Sequence, residues 1–298
     1  MPVIDCHQHF WTWGRRAHKF PPSAGTRLDR DFTPEDLRPQ LKKSGVDGTI
    51  LVQSLNDLDE TREFIDLSCE IDYVAGVVGW VPLTDPAACA AALESIKSRG
   101  KLVGIRPLIA YEPDPDWLLQ ASVRESLGLL VKAGLVFEAI PVNDRQFEAV
   151  LTAASAMPKL KFVLNHLSNP PVPEKGWEPW GTYVKRAAEL PNISIKVSAG
   201  LALVIRWKWS TGEIRRYADY VIELFGPERV MAGSNWPVVE LGGTFGEVWS
   251  GLTDLIAGLT PAERAAVLGA TNLRAVERPI KAKTFDRRSN RCSATWRS

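Results

Sequence analysis

The sequence predicts an α/β fold, a single-domain (β/α)8 barrel, and three observations carry that reading. Short apolar, β-branched runs alternate eight times with longer helix-like segments. The runs are apolar almost throughout, as expected of parallel strands covered on both faces. The first run ends in histidines and no glycine-rich phosphate turn follows it, which separates the chain from a doubly wound dinucleotide-type sheet.

The elements follow in order. The first strand covers 3–9. Thr33 as N-cap and Pro34 at N1 open a helix over 34–44. Strand 48–53 follows, then a helix at about 59–71 and strand 73–80. Asp85 and Pro86 start a helix over 85–99, which leads to strand 102–106. Helix 116–133 precedes strand 135–140, helix 144–157 precedes strand 161–166, and helix 179–190 precedes strand 193–198. Helix 211–225, strand 230–235 and one or two closing helices over 245–275 complete the barrel, taken as residues 1–280. Residues 281–298 are basic and polar with little to bury, and read as a disordered tail.

Composition excludes several classes. A net charge of +1 gives no bulk attraction to nucleic acid or a membrane surface. No signal peptide and no 18-residue apolar stretch is visible. Cys6, Cys69, Cys89 and Cys292 are scattered without a CxxC pair, so reduced thiols and a cytoplasmic location are expected. The eleven tryptophans include Trp11, Trp13, Trp80, Trp177, Trp180, Trp207, Trp209 and Trp236 near strand ends or loops. Indoles there either stack on a ligand ring or cover the core.

His7 and His9 hold half of the four histidines. At i, i+2 on a strand both imidazoles face one side, as a divalent metal site or a histidine-based catalytic site requires. An exposed pair on an edge strand is the plainer alternative. Cys6 has the opposite parity and is expected to pack behind the site. In a barrel the active site lies at the C-terminal strand ends. There the sequence places Gln53, Trp80, Arg106, Glu138, Asn165, His166, Lys196, Ser198, Ser234 and Asn235 with the two histidines. A buried Arg106 needs an anion: either an ion pair with Glu138 or a substrate carboxylate or carbonyl. His166 alone would suit a hydrogen-bonded core; beside His7 and His9 it suits a site.

The segments Asp5–Trp11, Ala75–Val81, Val103–Arg106, Glu112–Leu119, Val163–His166, Lys196–Ser198 and Phe225–Val238 together resemble the amidohydrolase-related sugar-lactone hydrolases, the L-fuconolactonase and L-rhamnonolactonase group of amidohydrolase family 2. The resemblance covers about residues 1–275, in order. It implies a (β/α)8 barrel that hydrolyses a lactone ring. It implies that His7, His9 and His166 line the site, with zinc held there in some members and no metal in others. It implies that Arg106 and Trp80 help hold the substrate, to which Lys196 and Gln53 are added from their strand ends.

The chain departs from that pattern at three polar positions. Asn235 stands where the family usually has an Asp that serves as general base or metal ligand. Pro107 follows Arg106 where His is common, and Asn165 precedes His166 where Asp is frequent. An amide can position a water but cannot take its proton. A metal site also loses a charged ligand. The base then falls to His166, Glu138 or a metal, with His166 favoured, and Arg106, Lys196 or a metal stabilises the oxyanion. Two alternatives stand beside the lactonase: a weakened paralogue that binds a sugar acid or lactone, and a metal-dependent decarboxylase.

Overall fold

The computed structural model describes residues 1–18, 20–96 and 100–270. The tail expected over 281–298, the boundary at 280 and Cys292 lie outside the described residues.

Eight parallel strands run in chain order around the sheet: β1 (Ile4–Gln8), β2 (Gly48–Val52), β3 (Val74–Gly79), β4 (Leu102–Ile105), β5 (Val136–Ala139), β6 (Phe162–Leu164), β7 (Ile193–Val197) and β8 (Val230–Ala232). Helices α1 (Pro34–Ser44), α2 (Leu58–Glu70), α3 (Pro86–Ile96), α4 (Ala121–Ala133), α5 (Asp144–Ala156) and α6 (Trp180–Ala188) lie between successive strands from β1 to β7. A short α7 (Leu201–Val204) and the longer α8 (Thr211–Phe225) join β7 to β8; α9 (Phe245–Leu255) and α10 (Pro261–Ala265) follow. The fold is the expected (β/α)8 barrel.

The helix starts obey local chemistry. Thr33 and Asp36 form a capping box with Pro34 behind the cap, and Gly45 ends α1 at φ 67°. Asp57 accepts the amides of Asp59 and Glu60 to start α2. The predicted helix over 116–133 is instead split into a 3-10 turn at Trp117–Leu119 and α4, because Gln120 takes an extended ψ of 140°. Strand β6 ends at Leu164, shorter than predicted; the Asn165 amide still donates to the Ala139 carbonyl at 2.9 Å, and the chain turns away at His166. Among the described residues no helix is long and apolar enough to cross a membrane.

The barrel closes between β1 and β8. The Asn235 amide donates to the His7 carbonyl and the His9 amide to the Trp236 carbonyl, each at 2.8 Å. Asp5 staples the same seam. Its Oδ1 accepts the amides of Ser234 at 2.8 Å and His7 at 3.1 Å, and its Oδ2 accepts the Ser234 hydroxyl at 2.5 Å. Gly233 is required here: a Cβ would come within 2.8 Å of Cys6 Sγ and 3.0 Å of His7 Cβ.

Strand β1 carries a bulge. Its register with β2 advances by three residues, Asp5 to Gln8, while the partner advances by two. Cys6 therefore packs with Val136, Val163 and Met231 of β5, β6 and β8. Those strands put Val163 level with Glu138 and Met231 level with Lys196. The thiol thus lies beneath the site inside the barrel, which corrects the expected place behind it. Simple parity fails because the bulge adds one residue. Of the tryptophans singled out, Trp11, Trp180, Trp207 and Trp236 are buried, and Trp13, Trp177 and Trp209 pack against the core from half-buried positions.

Burial pushes the Asp5 carboxyl up to about 6, against the lowering effect of its bonds to Ser234 and His7. A folded-state value above the unfolded one stabilises the fold most below the unfolded value, and that contribution is lost as pH rises through the folded one. We expect Asp5→Asn, which cannot ionise, to gain thermal stability relative to wild type between about pH 4 and pH 7, the span of the shifted titration. Parallel melting-temperature curves for the two proteins would rule this role out.

Candidate active site

Eight predicted site residues meet at the C-terminal mouth of the barrel. His7, Gln53, Arg106, Glu138, His166, Lys196 and Asn235 are at most 4% exposed and His9 is 5% exposed. Electrostatic interactions are correspondingly strong in this dry setting.

His9 fixes its own tautomer. Its Nδ1 lies 2.8 Å from the Val52 carbonyl, which only an N–H can face, so the lone pair sits on Nε2. Asn235 is oriented as firmly: its Nδ2 donates to the Ala199 carbonyl at 2.8 Å, leaving Oδ1 3.2 Å from His9 Nε2. His7 Nε2 also lies 3.2 Å from His9 Nε2. Adjacent ligands around a tetrahedral zinc with bonds of about 2.0–2.1 Å stand roughly 3.3 Å apart, so the spacing suits such an ion. His166 does not complete a three-histidine set. Among the described residues no three His, Cys, Asp or Glu side chains group closely enough to hold one ion. The third donor is the amide oxygen of Asn235.

Two cations frame the histidines. Arg106 donates through NH2 to the Gln53 carbonyl at 2.5 Å, while Gln53 Nε2 donates back to the Arg106 carbonyl. Its NH1 is 3.3 Å from His7 Nε2, and its buried Nε has no partner among the described residues. Burial draws the Arg106 guanidinium down to about 10, which leaves it charged at neutral pH. Lys196 Nζ sits 2.7 Å from both Glu138 carboxylate oxygens and 3.4 Å from His7 Nδ1. The ion pair entertained for Glu138 forms, with Lys196 rather than Arg106 as partner.

His166 enters from a strained turn. His166, Leu167, Ser168 and Asn169 all lie in the left-handed region, with φ of 55°, 51°, 55° and 56°. Such residues cost roughly 1–2 kcal/mol each outside glycine. The turn is held by Trp180 Nε1, which donates to the Leu167 carbonyl at 2.6 Å, and by Asn169 Nδ2, which donates to the Pro141 carbonyl at 3.3 Å. It sets the His166 ring 4.5 Å from the His7 ring, centroid to centroid, with Nδ1 2.8 Å from Ser198 Oγ. Asn235 is left-handed as well, at φ 58°. Burial, followed by neighbouring cations, holds His7 and His166 well below the ordinary histidine range, and burial and Arg106 lower His9 to about 3. All three imidazoles are neutral at physiological pH.

Trp80 is fixed through its backbone by Thr61 and stands outside the hydrogen-bonded cluster. The fourth histidine, His18, touches Ser54 at 2.7 Å, and Glu60 accepts the Ser54 and Leu55 amides, so both steady the loop after Gln53. Sequence reasoning missed Asp5 as a seam residue. An acid inside an apolar run was the signal available for it. The Val52 carbonyl and the left-handed turn left no signal in residue type.

This arrangement is a (β/α)8-barrel site in which neutral histidines, a cationic clamp and one amide gather around a small space. The chain belongs to the amidohydrolase family, whose sequence model matches residues 4–276. It is 34% identical to an L-fucono-1,5-lactonase of Burkholderia ambifaria over 93% of this chain and 96% of that one. It is 30% identical to an L-fucono-1,5-lactonase of Burkholderia multivorans, again over 93% and 96%. A crystal structure of an amidohydrolase from Burkholderia multivorans with bound zinc superposes with a TM-score of 0.84 at 29% identity, covering 93% of this chain and 99% of that one.

Removing Lys196 alone leaves Glu138 buried and unpaired. Lys196→Met is expected to cost about 3–5 kcal/mol of unfolding free energy, and the double change Lys196→Met with Glu138→Leu distinctly less. Urea denaturation of the two variants distinguishes these outcomes.

Proposed function

We propose that this protein opens a small lactone, a sugar-derived aldonolactone, by attack of water on the ring ester carbonyl. The observation that carries the mechanism is the state of His166. Its Nδ1 is engaged with Ser198, its ring is neutral, and its Nε2 makes no hydrogen bond to another described residue. With its proton on Nδ1 and donated to Ser198 Oγ, the imidazole keeps its lone pair on the free Nε2, a general base in position. The two relatives named as L-fucono-1,5-lactonases support the substrate class.

His166 Nε2 takes the proton as water attacks the carbonyl carbon. Arg106, anchored by Gln53, supplies positive charge for the oxygen that becomes negative in the tetrahedral intermediate. The ring C–O bond then breaks, and His166 returns the proton to the departing ring oxygen, leaving a hydroxy acid. Asn235 Oδ1 accepts a hydrogen bond from the incoming water and orients it. Trp80 borders the substrate from the end of β3. Glu138 keeps Lys196 in place and is not the base in this scheme, because both its oxygens are taken.

The donor set also fits a divalent metal. His9 Nε2 and Asn235 Oδ1 face each other as two lone pairs at 3.2 Å, an unfavourable contact that a cation relieves, with His7 as third ligand. His7, His9 and Asn235 would hold zinc, and the bound ion would supply Lewis-acid polarisation of the carbonyl.

His166→Ala is expected to lower kcat by about 10²–10⁴-fold on aldonolactones, the usual contribution of a general base, with a smaller change in KM. Full activity in that variant would refute the assignment. Because burial lowers all three histidines, their basic forms persist far into acid. The rate, corrected for spontaneous hydrolysis, should therefore show no acid limb near pH 6.5, the ordinary histidine value. A titration centred there would contradict the neutral-histidine site.

A further inference from the structure

Both ring nitrogens of His7 face cationic donors. Lys196 Nζ lies 3.4 Å from Nδ1 and Arg106 NH1 lies 3.3 Å from Nε2. A neutral imidazole has one lone pair, so it can accept from only one of them. The structure favours Lys196. An ammonium carries three N–H groups, and two of them are aimed at the Glu138 oxygens at 2.7 Å each. The third is left for His7 Nδ1. The proton of His7 then sits on Nε2, directed at the His9 Nε2 lone pair 3.2 Å away. His9 passes the pattern on, with its own proton on Nδ1 against the Val52 carbonyl.

We propose that the Lys196–Glu138 pair holds His7 in the Nε2–H tautomer and so makes the His7–His9 pair prefer a shared proton to a metal ion. A metal ligated by His7 through Nε2 requires the His7 proton on Nδ1, where it meets the Lys196 ammonium head on. Metal binding must therefore break the third Lys196 bond. With a neutral Asn235 in place of a charged ligand, only relief of the His9–Asn235 lone-pair contact stands against that loss. Lys196 acts as a positioning residue: it touches neither metal nor substrate in this scheme and works through His7. The proposal does not depend on which lactone is hydrolysed.

Two measurements test it. Long-range ¹H–¹⁵N correlation spectra of the metal-free wild-type protein read the tautomer of each of its four histidines, with His7 assigned by its loss in His7→Gln. The expected result is protonated Nε2 on His7 and protonated Nδ1 on His9; protonated Nδ1 on His7 would overturn the proposal. Zinc affinity, measured by competition with a chromogenic chelator, is the second readout. Lys196→Met with Glu138→Leu removes the pair without changing net charge, and is expected to bind zinc at least tenfold more tightly than wild type. An unchanged affinity in a variant that unfolds cooperatively would overturn the proposal. So would equal tightening by Arg106→Met alone, which would assign the effect to charge near Nε2. If the double variant does not fold, the wild-type spectrum alone decides.

Discussion

The closure of β1 on β8 is the constraint on which the site depends. Strand β1 carries His7 and leads directly into His9, and the chain leaving β8 carries Asn235; their separation is set by how the barrel seals. Asp5 does the sealing, by accepting two amides and a hydroxyl from both sides of the seam. Its cost is a carboxylate in a fully buried position, which shows as a raised pKa. The gain is geometric: the bulge in β1 and the side-chain-free Gly233 let the two strand ends approach until His9 and Asn235 face each other.

Backbone strain is concentrated at the candidate site. Among the described residues, five of the six non-glycine residues with positive φ are the His166–Asn169 turn and Asn235, all at strand ends that carry candidate site residues. Strained backbone of this kind persists only where surrounding structure determines it. Trp180, reaching in from α6, and the Pro141 carbonyl, from the loop after β5, provide that support for the turn. The aromatic richness of the chain thus includes one indole, Trp180, that holds the turn carrying His166.

The barrel was legible because its signal is repeated. Eight apolar runs with helix caps at Thr33 and Asp85 leave few alternatives, and strand ends are easy to locate once the runs are found. The gathering of polar groups at the mouth was legible for the same reason, since His7, Arg106, Glu138, His166 and Lys196 all stand in or at the end of apolar runs where a polar group is out of place. Their pairing was not. Whether Glu138 meets Arg106 or Lys196 depends on barrel stagger, which no single strand encodes. The position of Cys6 was misread because one bulged residue reverses parity, and residue type does not announce a bulge.

The loss of acids at two strand ends has one electrostatic consequence. Of the charged side chains gathered at the mouth among the described residues, Arg106 and Lys196 stand against Glu138, with the Asp5 and Glu60 carboxyls acting from behind them, and the three histidines are neutral. Asn165 and Asn235 add dipoles but no charge. Asn165, one step beyond the paired Leu164 and Ile195, comes level with Lys196, and its amide atoms have no partner among the described residues. An Asp there would give Lys196 a second buried anion and loosen the geometry that Glu138 imposes. An Asp at 235 would cancel the remaining excess of positive charge. In the proposed reaction that excess faces the oxygen that turns negative when water adds to an ester, and in a buried mouth it is screened little. The same excess disfavours a divalent cation. In the proposed reaction the two amides therefore act in one direction: they weaken a metal site and strengthen the pull of the residues themselves on an oxyanion.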